Sequence, residues 1–148
     1  METILKMMEG VSFFEAFTNE ERHQLAQKGH FFEVFRDGDV IIQEGDLNDS
    51  ALFVILTGTA FVRRDEFKDH IIDYLEAGSV VGEASFLVNG RRRMASVVAQ
   101  GIVNAFKLDR MALEEFECPF RLKITNVLVT IVVERLERVH EAIEKLMG

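Results

Sequence analysis

The residues best suited to chemistry lie in one stretch of this 148-residue sequence. Gly82-Glu83-Ala84-Ser85-Phe86-Leu87 is followed by Asn89-Gly90, by three consecutive arginines (Arg91, Arg92 and Arg93), and by Met94-Ala95-Ser96-Val97. A short helical turn starting at Gly82 presents backbone N–H groups that no carbonyl of that turn can accept, and such amides favour an anion. An arginine entering on the next strand neutralises the same anion through its planar fork. Glu83 would repel a phosphate, so it needs other work, and a carboxylate accepts hydrogen bonds from hydroxyl groups. Other chemistries lack their parts. His23, His30, His70 and His140 have no ligand spacing, and one cysteine, Cys118, builds neither a disulfide nor a thiolate cluster. No nucleophile–base set can be assembled, so the expectation is a protein that is not an enzyme and needs no metal. Cys118 is expected to be a buried thiol.

The elements that position this stretch read as one domain over residues 1–148. Hydrophobic residues make up 48% of the chain, with a single proline, enough for a packed core. Residues 1–30 carry helical signals, including the capping box Thr18-Asn19-Glu20-Glu21 ahead of a helix over Asn19–Lys28 that Gly29 ends. Residues 31–108 break into short β-rich runs: Phe31–Phe35, Val40–Ile42, Leu52–Leu56, Thr59–Arg63, Ile71–Leu75, Ala95–Ala99 and Ile102–Leu108. Turn residues such as Thr57-Gly58 and Gln100-Gly101 separate them. The fold class expected is mainly β with flanking helices: a double-stranded β-helix, or jelly roll, followed by C-terminal helices over 109–148. Asp109 caps a short helix, and Pro119 starts a long one.

Ribose offers hydroxyls to a carboxylate, and the 2′-hydroxyl is the one left when the 3′ and 5′ oxygens are closed into a cyclic phosphate. Val81-Gly82-Glu83-Ala84-Ser85-Phe86-Leu87 with Arg93-Met94-Ala95-Ser96-Val97 resembles the phosphate-binding cassette of cyclic nucleotide-binding domains. Such domains occur in catabolite activators, protein kinase A regulatory subunits and gated channels. Gly45-Asp46, Asp49-Ser50, Phe53-Val54 and Gly58 resemble that family's early strands and turn, so the likeness runs from about Phe13 to His140. It implies that Arg93 binds the cyclic phosphate, since this arginine keeps Met-Ala-Ser-Val in step with the family pattern. It further implies that Glu83 binds the 2′-hydroxyl and that the backbone of Gly82, Ala84 and Ser85 completes the cradle. Val62, Asp73 and Leu75 fall where the family lines its base and sugar pocket, and Met94 and Ala95 follow the arginine. Met94 stands where a Ser or Thr would offer a hydroxyl, so cyclic AMP is the expected ligand and cyclic GMP is disfavoured. The bland alternative keeps Glu83 and Arg93 as a structural ion pair in a ligand-free dimerisation or scaffolding domain.

On the last helix Val129, Val132, Leu136, Val139, Ile143 and Leu146 follow coiled-coil spacing, and Ile124, Leu128 and Ile131 form a second stripe. A homodimer through 129–146 is expected. Net charge of −8 argues against a direct nucleic-acid partner. The N-terminus lacks a signal peptide's basic charge, and the longest nearly apolar run, Val127–Val133, is far short of the roughly 20 residues of a membrane span. The protein is therefore expected in the cytoplasm, as a regulatory sensor whose sequence stops at Gly148 and which either acts on a separate effector protein or is a domain excised from a longer chain.

Overall fold

The computed structural model describes residues 2–27, 31–67 and 70–148. The chain forms two compact units, Met1–Arg110 and Met111–Gly148. In the first, α1 (Glu2–Met8), α2 (Ser12–Glu15) and α3 (Asn19–Gln27) precede the strands β1 (Phe32–Phe35), β2 (Val40–Ile42), β3 (Leu52–Arg63), β4 (Ile71–Leu75), β5 (Val80–Val81) and β6 (Ser96–Leu108). A short helix, α4 (Glu83–Leu87), lies between β5 and β6, and α5 (Arg110–Leu113) leads to α6 (Cys118–Met147). The reciprocal capping box is present: Thr18 N–H donates to Glu21 Oε1 at 2.8 Å, and Glu21 N–H to Thr18 Oγ1 at 3.2 Å. The stop expected at Gly29 lies outside the described residues.

Among the described residues the sheet is antiparallel and six-stranded, and its two long central strands, β3 and β6, pair at both ends with an irregularity between Ile55 and Thr59. β1 and β2 flank different halves of β6, while β5 and β4 flank different halves of β3. The roll's inner face is apolar: Ile42, Phe53, Ile55, Ala60, Val81, Val97, Ala99 and Val103 are buried there, with Phe35, Val62 and Leu75 packed against them. This is the mainly β roll with flanking helices that the punctuated strand pattern implies.

Two expected turns are instead interruptions within continuous strands. Thr57-Gly58 lies inside β3 and Gln100-Gly101 inside β6, and the pairing register shifts between Ile55 and Thr59. Inward residues are Phe53 and Ile55 before the shift and Ala60 and Val62 after it, so the alternation changes parity there, as a bulge requires. Gly58 permits it: its φ is +96°, and a Cβ there would run into the Ile102 carbonyl oxygen. Asn104 Nδ2 donates to Thr57 Oγ1 at 2.7 Å across the irregularity. A sequence reading that treats glycine as a strand end splits each long strand in two. β5, only two residues long, carries too little pattern to be found that way.

In the second unit, α6 runs for 30 residues with proline in its first turn. Ile124 and Leu128 are buried, whereas Val129, Val132, Leu136, Val139, Ile143 and Leu146 are all exposed. Cys118 is exposed, contrary to expectation. As the first residue of α6 it lies off the buried Phe120–Ile124–Leu128 stripe, and Arg121 Nη2 is 2.7 Å from its sulfur. Among the described residues no helix is long and apolar enough to cross a membrane.

The outer face of the sheet is closed by an aromatic cluster around Phe106, which is 0% exposed. Its ring lies 5.3 Å from Phe14, 5.8 Å from Phe31 and 5.6 Å from Phe32, centroid to centroid, each in edge-on geometry. These contacts fasten α2 to β6. Phe106→Ala should therefore cost about 3–5 kcal/mol of unfolding free energy, measured by urea denaturation. A loss below 1 kcal/mol would show that the cluster does not hold the helices to the sheet.

Candidate ligand-binding site

Arg93 lies in the segment joining α4 to β6 and is 3% exposed. A guanidinium cannot leave water without partners that replace its hydration. Here Nη1 donates to Gly82 O at 3.1 Å and Nη2 to Ala51 O at 2.5 Å, and Nη2 is 3.2 Å from Asp49 Oδ2. Nε is buried without a hydrogen-bond partner. The buried Nε–H thus remains unused beside these contacts, which suits an incoming anionic oxygen. The Asp49 carboxylate supplies a counter-charge for Arg93.

Gly82 is required twice. Its φ is +81°, which L side chains rarely adopt, and a Cβ would lie 2.7 Å from both Ala51 O and Arg93 Nη1. Its carbonyl joins the two halves of the site by accepting Phe86 N–H at 3.2 Å and Arg93 Nη1. α4 begins directly after it, so the first-turn amides of Glu83, Ala84 and Ser85 have no acceptor within their own helix. Glu83 is half-buried and Ala84 exposed at the rim, while Ser85 and Phe86 are buried. Ser85 Oγ donates to Arg91 O at a long 3.5 Å, tying the helix to the loop that carries the arginines.

Of the three arginines, Arg91 and Arg92 are exposed and Arg93 is buried. Met94 is 61% exposed, with Arg91 Nη2 3.5 Å from its sulfur, and Ala95 is half-buried. Val62 and Leu75 face the roll interior. Val62 stands opposite Val97 on β6 and Asp73 on β4, so one cross-strand row links β4 to the residues after Arg93. Asp73 itself is exposed and accepts Tyr74 N–H at 2.9 Å. The fold thus joins Gly82 directly to Arg93, sets Glu83, Ala84 and Ser85 beside them on α4, and puts Val62 and Leu75 inside the roll. Sequence reasoning assigned no role to Asp49 or Ala51. The signal was present, because a buried arginine demands a carboxylate and Asp49 falls in the Gly45–Ser50 segment.

Residues 32–116 match the family model described as the cyclic nucleotide-binding domain. Over 84 residues, 55% of this chain, the sequence is 33% identical to cyclic nucleotide-gated channel beta-3 of Mus musculus, of which the match covers 12%. The chain thus spans only a small part of that curated relative. Among solved structures, the catabolite activator protein of Thermus thermophilus superposes with a TM-score of 0.72 at 22% identity, covering 91% of this chain and 62% of that one, a likeness of fold. The regulatory subunit of a cAMP-independent protein kinase A from Trypanosoma brucei gives a TM-score of 0.69 at 25% identity, covering 92% of this chain and 45% of that one. The relatives are regulatory and channel proteins. With more than half of its residues inside the family match, and the matched segment folded as α4 and Gly82 against a buried Arg93, the chain belongs to the cyclic nucleotide-binding domain family.

Proposed function

We propose that the chain is a cyclic nucleotide-sensing regulatory module of the cytoplasm whose ligand is cyclic AMP. The observation that carries this reading is the buried Arg93 guanidinium, with its Nε unpartnered beside the first turn of α4. The phosphate takes that donor and the amides of Ala84 and Ser85. Glu83 accepts the ribose 2′-hydroxyl, and Val62, Asp73 and Leu75 border the base and sugar. Met94 offers a thioether where a hydroxyl would serve guanine, which supports cyclic AMP over cyclic GMP.

The exposed stripe on α6 supports a homodimer. Val129 to Leu146 repeats at three and four residues, and Leu136 and Val139 are each 54% exposed in the single chain. The module then passes ligand binding through its C-terminal helices to a separate effector. A second reading, a dimerisation or scaffolding domain that binds no nucleotide, draws on Met94 and on the relative from Trypanosoma brucei whose kinase is described as cAMP-independent.

Calorimetry separates the two readings. Cyclic AMP should bind more tightly than cyclic GMP, and Arg93→Ala should weaken binding by about 2–4 kcal/mol. The Asp49 side chain is 33% exposed, so water can hydrate the carboxylate that this substitution leaves behind and the variant should remain folded. Absence of heat with either nucleotide on the unaltered protein would establish the scaffolding reading. Sedimentation equilibrium should give about twice 16.9 kDa at micromolar concentration, and Leu136→Glu with Val139→Glu a folded monomer. A wild-type monomer at high concentration would remove the dimer. Cyclic AMP should also alter hydrogen exchange over residues 111–136, and binding without that change would mark a nucleotide binder that transmits nothing.

A further inference from the structure

Arg93 is held in place by the turn after β2 as well as by the cassette itself. The turn after β2 brackets its main chain from both sides: Gly45 N–H donates to Arg93 O at 2.8 Å, and Arg93 N–H donates to Asp46 O at 3.0 Å. This turn is itself fastened at two further points. Ser96, which is completely buried, accepts Glu44 N–H on Oγ at 2.9 Å, with Gln43 Nε2 at 3.4 Å from the same oxygen. In the other direction the Glu44 carboxylate accepts Arg64 Nε at 2.7 Å and Asp65 N–H at 3.4 Å, just after β3 ends. A continuous series of hydrogen bonds therefore runs from Arg64 through Glu44 to Ser96, and the Glu44–Asp46 turn it secures grips the peptide groups of Arg93.

The energetics separate this arrangement from ordinary scaffolding. The Arg64–Glu44 side chains are 45% and 20% exposed, and a pair so open to solvent contributes little to global stability. Its geometric effect is larger. A guanidinium that must meet a phosphate at hydrogen-bond distance loses affinity steeply when its own backbone shifts. We propose that Ser96, Glu44 and Arg64 are positioning residues for the Arg93 guanidinium, so that the strength of anion binding is set in part from the end of β3. The ligand arm of this proposal rests on the cyclic AMP reading above. The geometric arm does not.

The test uses the full chain with Ser96→Ala and, separately, Glu44→Gln, each alone and combined with Arg93→Ala. With Arg93 present, each variant should bind cyclic AMP roughly tenfold more weakly by calorimetry. In the Arg93→Ala background, where there is no guanidinium to position, the further loss should stay below about twofold. Without nucleotide, the Arg93 Nε proton, followed by nitrogen-15 NMR, should exchange with water about tenfold faster in both variants. Glu44→Gln, on a partly exposed pair, remains folded even where Ser96→Ala does not. Equal losses of affinity with and without Arg93, or Arg93 exchange unchanged while only the melting temperature falls, would overturn the proposal. If cyclic AMP fails to bind the unaltered protein, the ligand reading falls and the exchange measurement alone decides the positioning.

Discussion

Removing the Arg93 guanidinium from water costs several kcal/mol, and segments far apart in the sequence are committed to offsetting that cost. Asp49 and Ala51 come from the β2–β3 connection, and Gly82 from the end of β5. None of them has this use without the others. A carboxylate alone would balance the charge but leave donors unsatisfied, while carbonyls alone would satisfy donors and leave the charge unbalanced. The roll makes the meeting possible, because β3 follows the Asp49 turn at one end and pairs with β5 and β6 on its two edges. The position of the arginine is therefore a property of the whole sheet.

The same arrangement explains how an acidic chain can hold an anion. A net charge of −8 opposes a phosphate at long range, but at physiological salt that field is screened beyond about 8 Å. Within that distance the outcome depends on local donors. The Arg93 Nε is buried, with Phe86, Ile42 and Val81 buried in the same roll, so a hydrogen bond it donates is little weakened by competing water. Asp49 neutralises part of the arginine's charge, so the proposed recognition would rest on directed hydrogen bonds more than on Coulomb attraction. Directed bonds demand a fixed backbone, which is why Gly82 stands where a side chain would collide with both Ala51 O and the guanidinium.

What the sequence discloses is whatever local chemistry decides. The Thr18–Glu21 box is legible because its partners are three residues apart. The strands are legible because their inward and outward residues alternate. The cassette is legible because Val81–Leu87 and Arg93–Val97 resemble the family's pattern in one local stretch. The misses have a common cause as well. Gly58 and Gly101 look like turns, and only the pairing of β3 with β6 shows that the chain continues through them. Asp49 looks like one more loop acid until Arg93, 44 residues later, is seen to be buried beside it. Cys118 belongs to a residue type that is usually buried, whereas its exposure follows from its place on α6 off the stripe beginning at Phe120. In each case the missing information is a contact distant in sequence.

The α6 stripe poses a question of magnitude. Six apolar side chains per chain, most of them about half exposed, would bury an amount worth roughly 9–18 kcal/mol across two chains. Association itself costs about 4–15 kcal/mol in lost freedom. Association at micromolar concentration needs a surplus of about 8 kcal/mol, which the seam would supply where the cost lies in the lower part of its range, so the proposed dimer would form or dissociate with concentration. A permanent dimer would need a larger apolar seam. A balance this close is suited to regulation. A ligand coupling of about 1–3 kcal/mol changes the population of a marginal assembly many-fold and leaves a very stable one untouched. The modest length of the seam therefore fits a switch better than a staple.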